Sequence, residues 1–187
     1  QSLLVLSLTD SGVALGLLAV AQFGPVLVLG PWAGLVADRS DKRRLLMVVQ
    51  SLAMVQSFLL AAVAFTGAPV WTIYAVALLG GFTVAFDNPS RRAFVTEMVP
   101  VDDINNAVSL NSALMTGTRV IGPAAAGALV LLVGYGWPFI LDGVTYVAVI
   151  VGLMMMRPTE LYRSAPAPRA DGQVREGLRY IRAEPLL

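Results

Sequence analysis

Apolar residues dominate five long stretches of this chain, at residues 13–37, 45–66, 70–86, 106–133 and 137–156. Crossing a bilayer as a helix takes about 20 residues at about 1.5 Å each, and all five are near or above that length. Barrel strands would alternate apolar and polar positions over about 10 residues, which these runs do not do. An open strand edge could not satisfy its backbone in lipid. The pattern therefore predicts an all-α, polytopic membrane helix bundle over residues 1–156. The first stretch, QSLLVLSLT at residues 1–9, is apolar but too short to span. It carries no basic leader and no small-residue cleavage site, so it does not read as a signal peptide. It reads as the tail of another spanning helix that begins upstream.

Charge falls between these runs in a fixed rhythm. Six of the seven residues from Asp38 to Arg44 are charged, including Arg39, Lys42, Arg43 and Arg44. The next connection, TGAP at 66–69, has no charge; the third, at 87–103, has Arg91 and Arg92; the fourth, GYG at 134–136, has none. After Met156 come arginines at 157, 163, 169, 175, 179 and 182. Basic residues thus occupy alternate connections, the asymmetry that keeps Lys- and Arg-bearing loops in the cytoplasm. The expected topology puts 38–44, 87–103 and the tail in the cytoplasm of a multi-pass inner (plasma) membrane protein, with 10–12, 66–69 and 134–136 outside. Residues 157–187 are expected to form a cytoplasmic linker, rich in proline and arginine, followed by an amphipathic helix. In that helix Val174, Leu178 and Ile181 would share one face, set either on the lipid surface or against the protein.

Composition narrows the chemistry. Charged residues make up 13% of the chain, and cysteine and histidine are both absent. Average soluble domains carry about 25% charged residues. Without thiolates there is no disulfide framework, and without imidazole the commonest general base and metal ligand is missing. No convincing nucleophile–base set appears, so no enzyme, catalytic residue, metal, cofactor or nucleic-acid partner is expected.

The charged connection holds the most informative motif. Arginines there resist translocation, but Asp38 and Asp41 add little to topology. An acid ending one helix and bases opening the next can form a cluster that fixes both ends. Although exposed pairs contribute only about 0–1 kcal/mol each, a network formed in one conformation and broken in another biases a two-state equilibrium. The string G-x-x-A-D-R-x-x-K-R-R-x-L resembles the signature loop of major facilitator superfamily transporters, G-x-L-A-D-R-x-G-R-R/K-x-x-L. Gly34, Ala37, Asp38, Arg39, Arg43 and Leu46 match it, Lys42 stands where the signature has arginine, and Asp41 replaces glycine. The drug, macrolide and siderophore exporter branch often reads D-R-x-D-R-R here. The resemblance implies that this loop packs on other helix ends and stabilises the outward-open state. It makes Asp38 and Lys42 members of a conformational switch and Asp87 a candidate acidic partner for the basic side of the loop.

Two further stretches agree. FDNPSRRAFVTEMVPVDDINNAVSLNSA, residues 86–113, resembles the connection between the fourth and fifth helices of that branch. Physically, Pro89 is expected to end a helix, Phe94 and Val95 to dip toward lipid, and Asp102 or Asp103 to cap the next helix. TGTRVIGPAAAGAL, residues 116–129, places Thr118, Gly122 and Ala126 on a smooth ridge, with Pro123 bending the helix. It resembles the fifth-helix antiporter motif G-x-x-x-G-P-x-x-G-G: Gly122, Pro123 and Gly127 match, while Thr118 and Ala126 replace glycines. A plain packing ridge explains the same spacing.

Arg119 and Asp142 are the charges set within membrane runs, where a charge needs protein or water around it. Their depths, about 21 Å and about 9 Å from the outer end at helical rise, argue against direct pairing. Arg119 reads as a cavity residue; Asp142 either carries a coupling proton or makes a helix-terminal polar contact. Gln22 and Asn111, with Gln50, Gln56 and Tyr146, are further candidates for a polar path. The resemblance implies the amino-terminal six-helix half of a major facilitator fold with helix one truncated. The implied function is proton-coupled export of drug-like or siderophore-like amphipathic molecules by alternating access. Its expected partners are the substrate, a proton, the bilayer and the carboxyl-terminal half of the same chain. The alternative is a non-transporting sensor or scaffold, which would show an uninterrupted apolar packing face in place of polar cavity residues.

Overall fold

The computed structural model describes residues 1–162. It contains helices α1 (Ser2–Thr9), α2 (Gly12–Arg39), α3 (Lys42–Thr66), α4 (Val70–Glu97), α5 (Ile104–Val133) and α6 (Gly136–Met155). Short 3₁₀ turns occupy Val101–Asp103 and Pro158–Glu160. No strand occurs among the described residues, and α2 to α6 are each long and apolar enough to cross a membrane. The chain is all-α, as the periodicity predicts. The amphipathic helix expected around Val174–Ile181 lies outside the described residues.

The uncharged turns close tightly. Gly67 ends α3 with φ 63°, in the left-handed region where a side chain would be strained, and its N–H returns to Val63 O. Antiparallel neighbours follow from such short connections. Helix α2 packs mainly on α4, and α3 packs on both α4 and α6. In lipid no hydrophobic force draws apolar helices together, so contact depends on close fit between small residues. Gly81 supplies one such contact: a Cβ there would sit 2.6 Å from Gln22 O and 2.8 Å from the Pro25 ring. Gly143 supplies another, its missing Cβ leaving room for the Phe58 ring at 2.8 Å.

Two apolar clusters hold the ends of the bundle. Leu4 and Val5 of α1 join Ala14, Leu18, Leu60, Ile73 and Ala77 toward the uncharged turns. Leu46, Phe94 and Leu153 form the second, at the basic end, with Met47, Met156 and Leu161 packed around them.

The basic end differs from the sequence expectation in three respects. The 38–44 loop shrinks to Ser40 and Asp41, because α2 continues to Arg39 and α3 begins at Lys42. Pro89 does not end α4, which runs on to Glu97. Proline removes one backbone donor, but burial of Ser90, Phe94, Val95 and Glu97 beyond it outweighs that loss, and Ser90 Oγ donates to Phe86 O at 2.6 Å. Phe94 and Val95 are accordingly core residues rather than lipid-facing ones, at 3% and 8% exposure. Neither Asp102 nor Asp103 caps α5 as expected: Asp103 occupies the N-cap position without a side-chain bond.

Helix α5 stands apart. It has no buried residue among its 30, and a Cβ at Gly117, Gly122 or Gly127 would meet nothing within 4 Å.

Candidate functional site

Two polar assemblies occur in the bundle, one at its basic end and one midway along the helices. The first grows from the turn between α2 and α3. Asp41 caps α3, its carboxylate accepting from Arg44 N at 3.0 Å. That capping starts the helix one residue later and fixes the direction of the next two side chains. Lys42 then turns inward, and its Nζ donates to Glu97 Oε1 at 2.6 Å. Both side chains are under a tenth exposed, which makes this a buried ion pair across α3 and α4. Arg43 reaches the other neighbour: Nε donates to Leu153 O at 2.6 Å and Nη2 to Met154 O at 3.0 Å. A cation on the last carbonyls of α6 satisfies groups that the helix leaves without partners and opposes the negative end of its dipole. The backbone N–H of Tyr162 donates to Glu97 O at 2.9 Å, returning the chain after α6 to the end of α4. Three helix ends and the segment behind α6 are thereby tied at one point.

Asp87 lies farther into the bundle than the clamp. Its carboxylate accepts from Gln50 Nε2 at 2.7 Å and from Arg91 Nε and Nη2 at 3.2 Å. The acid facing Lys42 is therefore Glu97, ten residues beyond the acid the sequence suggested. Gln50 is 2% exposed, and its Oε1 has no hydrogen-bond partner among the described residues.

The second assembly is a cavity of about 280 Å³ between α2, α3, α4 and α6. Gln22, Gln56, Ser57, Asp142 and Tyr146 line it together with Phe23, Leu60, Val84 and Phe139. Gly80 and Gly81 form its α4 wall, and Gly80 has no room for a Cβ because the Gln56 side chain lies against it. Ser57 Oγ donates to Asp142 Oδ2 at 2.6 Å, joining α3 to α6 in the middle of the bundle. Gln22 donates to the side chain of Gln1.

The candidates from sequence thus separate. Lys42 and Arg43 belong to the clamp; Asp38 is exposed and Gly34 half-buried on the last turns of α2. Arg39, also on that turn, is half-buried. Gln22 and Asp142 share the cavity. Arg119 is exposed on α5 and Asn111 half-buried there; neither lines the cavity, and Arg119 makes no hydrogen bond or ion pair among the described residues. Gly122 and Pro123 are exposed and Gly127 half-buried, with α5 continuous through the proline. Glu97 and Ser57 escaped the sequence reading. Glu97 was concealed by the expectation that α4 stops at Pro89. For Ser57 the available signal was its adjacency to Gln56 inside an apolar run.

Comparison with known proteins agrees with this architecture. The family described as transmembrane secretion effector matches residues 1–187. The staphyloferrin A transporter of Staphylococcus aureus is 32% identical over 156 residues, 80% of this chain and 38% of that protein. Macrolide efflux protein A of Streptococcus pyogenes is 25% identical over 122 residues, 65% of this chain and 30% of the relative. The uncharacterized transporter YfiS of Bacillus subtilis is 24% identical over 190 residues, 100% of this chain and 45% of the relative. The chain spans less than half the length of each of these relatives. Bundle, motif and family match converge: this is a multi-pass membrane protein that belongs to the transmembrane secretion effector family of the major facilitator superfamily.

Proposed function

We propose that this chain is the amino-terminal half of a secondary exporter, which moves small amphipathic molecules out of the cell by alternating access. The observation that carries the reading is the polar cavity midway along four apolar helices. A sensor or scaffold would close that space with packing, since polar side chains in a membrane core are costly unless they face protein or water. The relatives named for staphyloferrin A transport and macrolide efflux support export of siderophore-like or drug-like compounds.

In this reading the clamp at the basic end lies on the cytoplasmic side of the plasma membrane, following the alternation of arginines. Its ion pair and helix-end bonds hold α3, α4 and α6 together there while the cavity opens outward. Asp38, Arg39 and Gly34, on the last turns of α2, face the ends of a second bundle supplied by the rest of the protein. The ridge of α5, with Thr118, Gly122 and Ala126 exposed, provides a smooth surface for the same partner. Arg119, Asn111 and the Pro123 bend act along that surface. A proton gradient drives the cycle, with Asp142 as a carboxylate able to carry the proton.

The test is efflux by the full-length protein in cells or vesicles. A panel of macrolide-like, siderophore-like and other amphipathic compounds is loaded with and without an uncoupler. Export that the uncoupler abolishes, and that Asp38→Asn slows without loss of membrane insertion, is the expected result. Export of nothing in the panel, or unchanged kinetics in Asp38→Asn, defeats the transport reading or the switch role respectively.

A further inference from the structure

Helices α4 and α6 share at most a slight contact. Helix α3 packs on both, its Lys42 reaching one and its Arg43 the other. Residues 157–162, which follow α6, run from the end of that helix to the end of α4. Met156 and Arg157 are extended, Pro158 opens a 3₁₀ turn that closes at Glu160, and Leu161 is extended again at φ −83° and ψ 136°. Proline presets this path, because its ring fixes φ at the start of the turn and keeps Arg157 out of the helical region. At the far end Leu161 packs on the cluster of Leu46, Phe94 and Leu153, and Tyr162 N–H donates to Glu97 O at 2.9 Å. That carbonyl is among those a helix end leaves without an internal donor, so Tyr162 caps α4 from the α6 side.

Glu97 is thereby held twice, by Lys42 on its side chain and by Tyr162 on its backbone. Lys42 and Leu46 are four residues apart on α3, and Phe94 and Glu97 three apart on α4. The ion pair and the apolar cluster therefore occupy adjacent turns of the same helix faces. Leu161 covers that cluster, and the attraction between the paired charges would weaken if water entered. Yet the segment is fastened lightly. One backbone hydrogen bond and one half-buried leucine hold it, while the Arg157–Glu160 bridge is 79% and 67% exposed and adds little. A segment held this way can detach without unwinding a helix.

We infer that residues 157–162 are a releasable strap. Docked, they join the ends of α4 and α6 and keep water from the Lys42–Glu97 pair; released, they let the basic end open. The chain continues from Tyr162, so any displacement of the residues beyond it acts first on the bond to Glu97. The inference goes beyond the export reading, since the strap governs the basic end whether or not the protein exports anything. Only its meaning as part of a transport cycle rests on that reading.

Maleimide labelling of the full-length protein, read by peptide mass spectrometry, tests the strap without requiring transport. Ser90→Cys reports opening of the basic end, and Ile73→Cys, fully buried in the opposite cluster, reports general loosening. Tyr162→Pro deletes the N–H donor, and the extended backbone of Leu161 is what a following proline requires. In this variant labelling at residue 90 should rise at least about fivefold, as loss of one hydrogen bond from the closed form implies. Labelling at residue 73 should stay within about twofold of its reference, the change expected where local opening is confined to the other end. Leu161→Ser should act like Tyr162→Pro, and Leu161→Met, which keeps the apolar anchor, should not. Tyr162→Ala keeps the N–H and loses only a ring that is 55% exposed, so it should label like the reference. Unchanged labelling at residue 90 in Tyr162→Pro or Leu161→Ser overturns the inference. So does equal acceleration at residue 73, or acceleration by Tyr162→Ala as large as that by Tyr162→Pro. The expected labelling in a protein that exports none of the compound panel keeps the strap and removes the export reading. Export with labelling indifferent to Tyr162→Pro does the reverse.

Discussion

Replacing Glu97 by glutamine keeps the shape of the side chain and deletes one charge of the clamp. Lys42 Nζ would then remain 2.6 Å from a neutral amide, with its side chain 9% exposed. Removing one partner of a buried ion pair typically costs about 3–5 kcal/mol, because the other charge is left uncompensated. At about 1.4 kcal/mol per factor of ten, the lower figure corresponds to about a hundredfold change in an equilibrium. In a switch, that cost applies only to the conformation in which the pair is formed, so the open form of the basic end gains population. Ser90 reports the opening: it is fully buried on α4 between Asp87 and Glu97. Cysteine is absent from these 187 residues, so Ser90→Cys provides a single thiol among them. Maleimide labelling of residue 90 in the detergent-solubilised full-length protein, followed by peptide mass spectrometry, should be faster in Glu97→Gln by at least about tenfold. The double variant Lys42→Met with Glu97→Leu should return labelling to the reference rate, since apolar replacement of a whole buried pair is commonly neutral or stabilising. Unchanged labelling in Glu97→Gln would show that the pair does not hold the basic end closed.

Other parts of the bundle make independent predictions. Arg43→Ala removes both bonds to the α6 carbonyls; with one of them at the exposed surface, the loss should be about 2 kcal/mol, read as a lower melting midpoint, and Arg43→Lys should recover only part of it. Gly81→Leu should separate α2 from α4, costing about 1–3 kcal/mol through overpacking against Gln22 O and Pro25. A monodisperse protein with unchanged melting would contradict that close approach. Gly67→Ala places a side chain at φ 63° and should destabilise by about 1 kcal/mol, with Gly67→Asn milder because asparagine tolerates the left-handed region. Equal melting of Gly67→Ala and the reference protein would count against the tight turn.

The spans were legible because lipid enforces a simple rule: enough apolar residues in a row, with backbone bonds closed inside each helix. Their ends were less so. A sequence reader stops a helix at Pro89, since proline removes a donor there and bends the chain. The structure continues because the residues beyond it have somewhere to pack: Phe94 against Leu46 and Leu153, Ser90 against α4 itself, and Glu97 against Lys42. Tertiary partners decided that boundary, and they are invisible in a local window. The same limit hid the cavity. Gln22, Gln56 and Asp142 were visible as polar interruptions, but only packing of α2, α3, α4 and α6 places them on a common wall. The separation of Arg119 from Asp142 was accessible earlier, because helical rise alone puts them at different depths.

The basic end also shows why a topological rule and a mechanical one can be written in the same residues. Retaining a loop on one side of a membrane requires only that positive charge be present. It sets no requirement on where each side chain points. Yet Asp41 caps α3, Lys42 meets Glu97, and Arg43 lies on the carbonyls of Leu153 and Met154, three adjacent residues aimed at three different helices. Arg44, next in line, is exposed, and its side chain makes no hydrogen bond or ion pair among the described residues. Its charge has no contact to serve within this bundle, which is what topology alone would produce. Lys42 and Arg43 are different in kind: moving either charge to a neighbouring surface position would conserve the charge count and lose the contact. The geometry therefore separates a charge that makes no contact in the bundle, Arg44, from charges that join helix ends, Lys42 and Arg43.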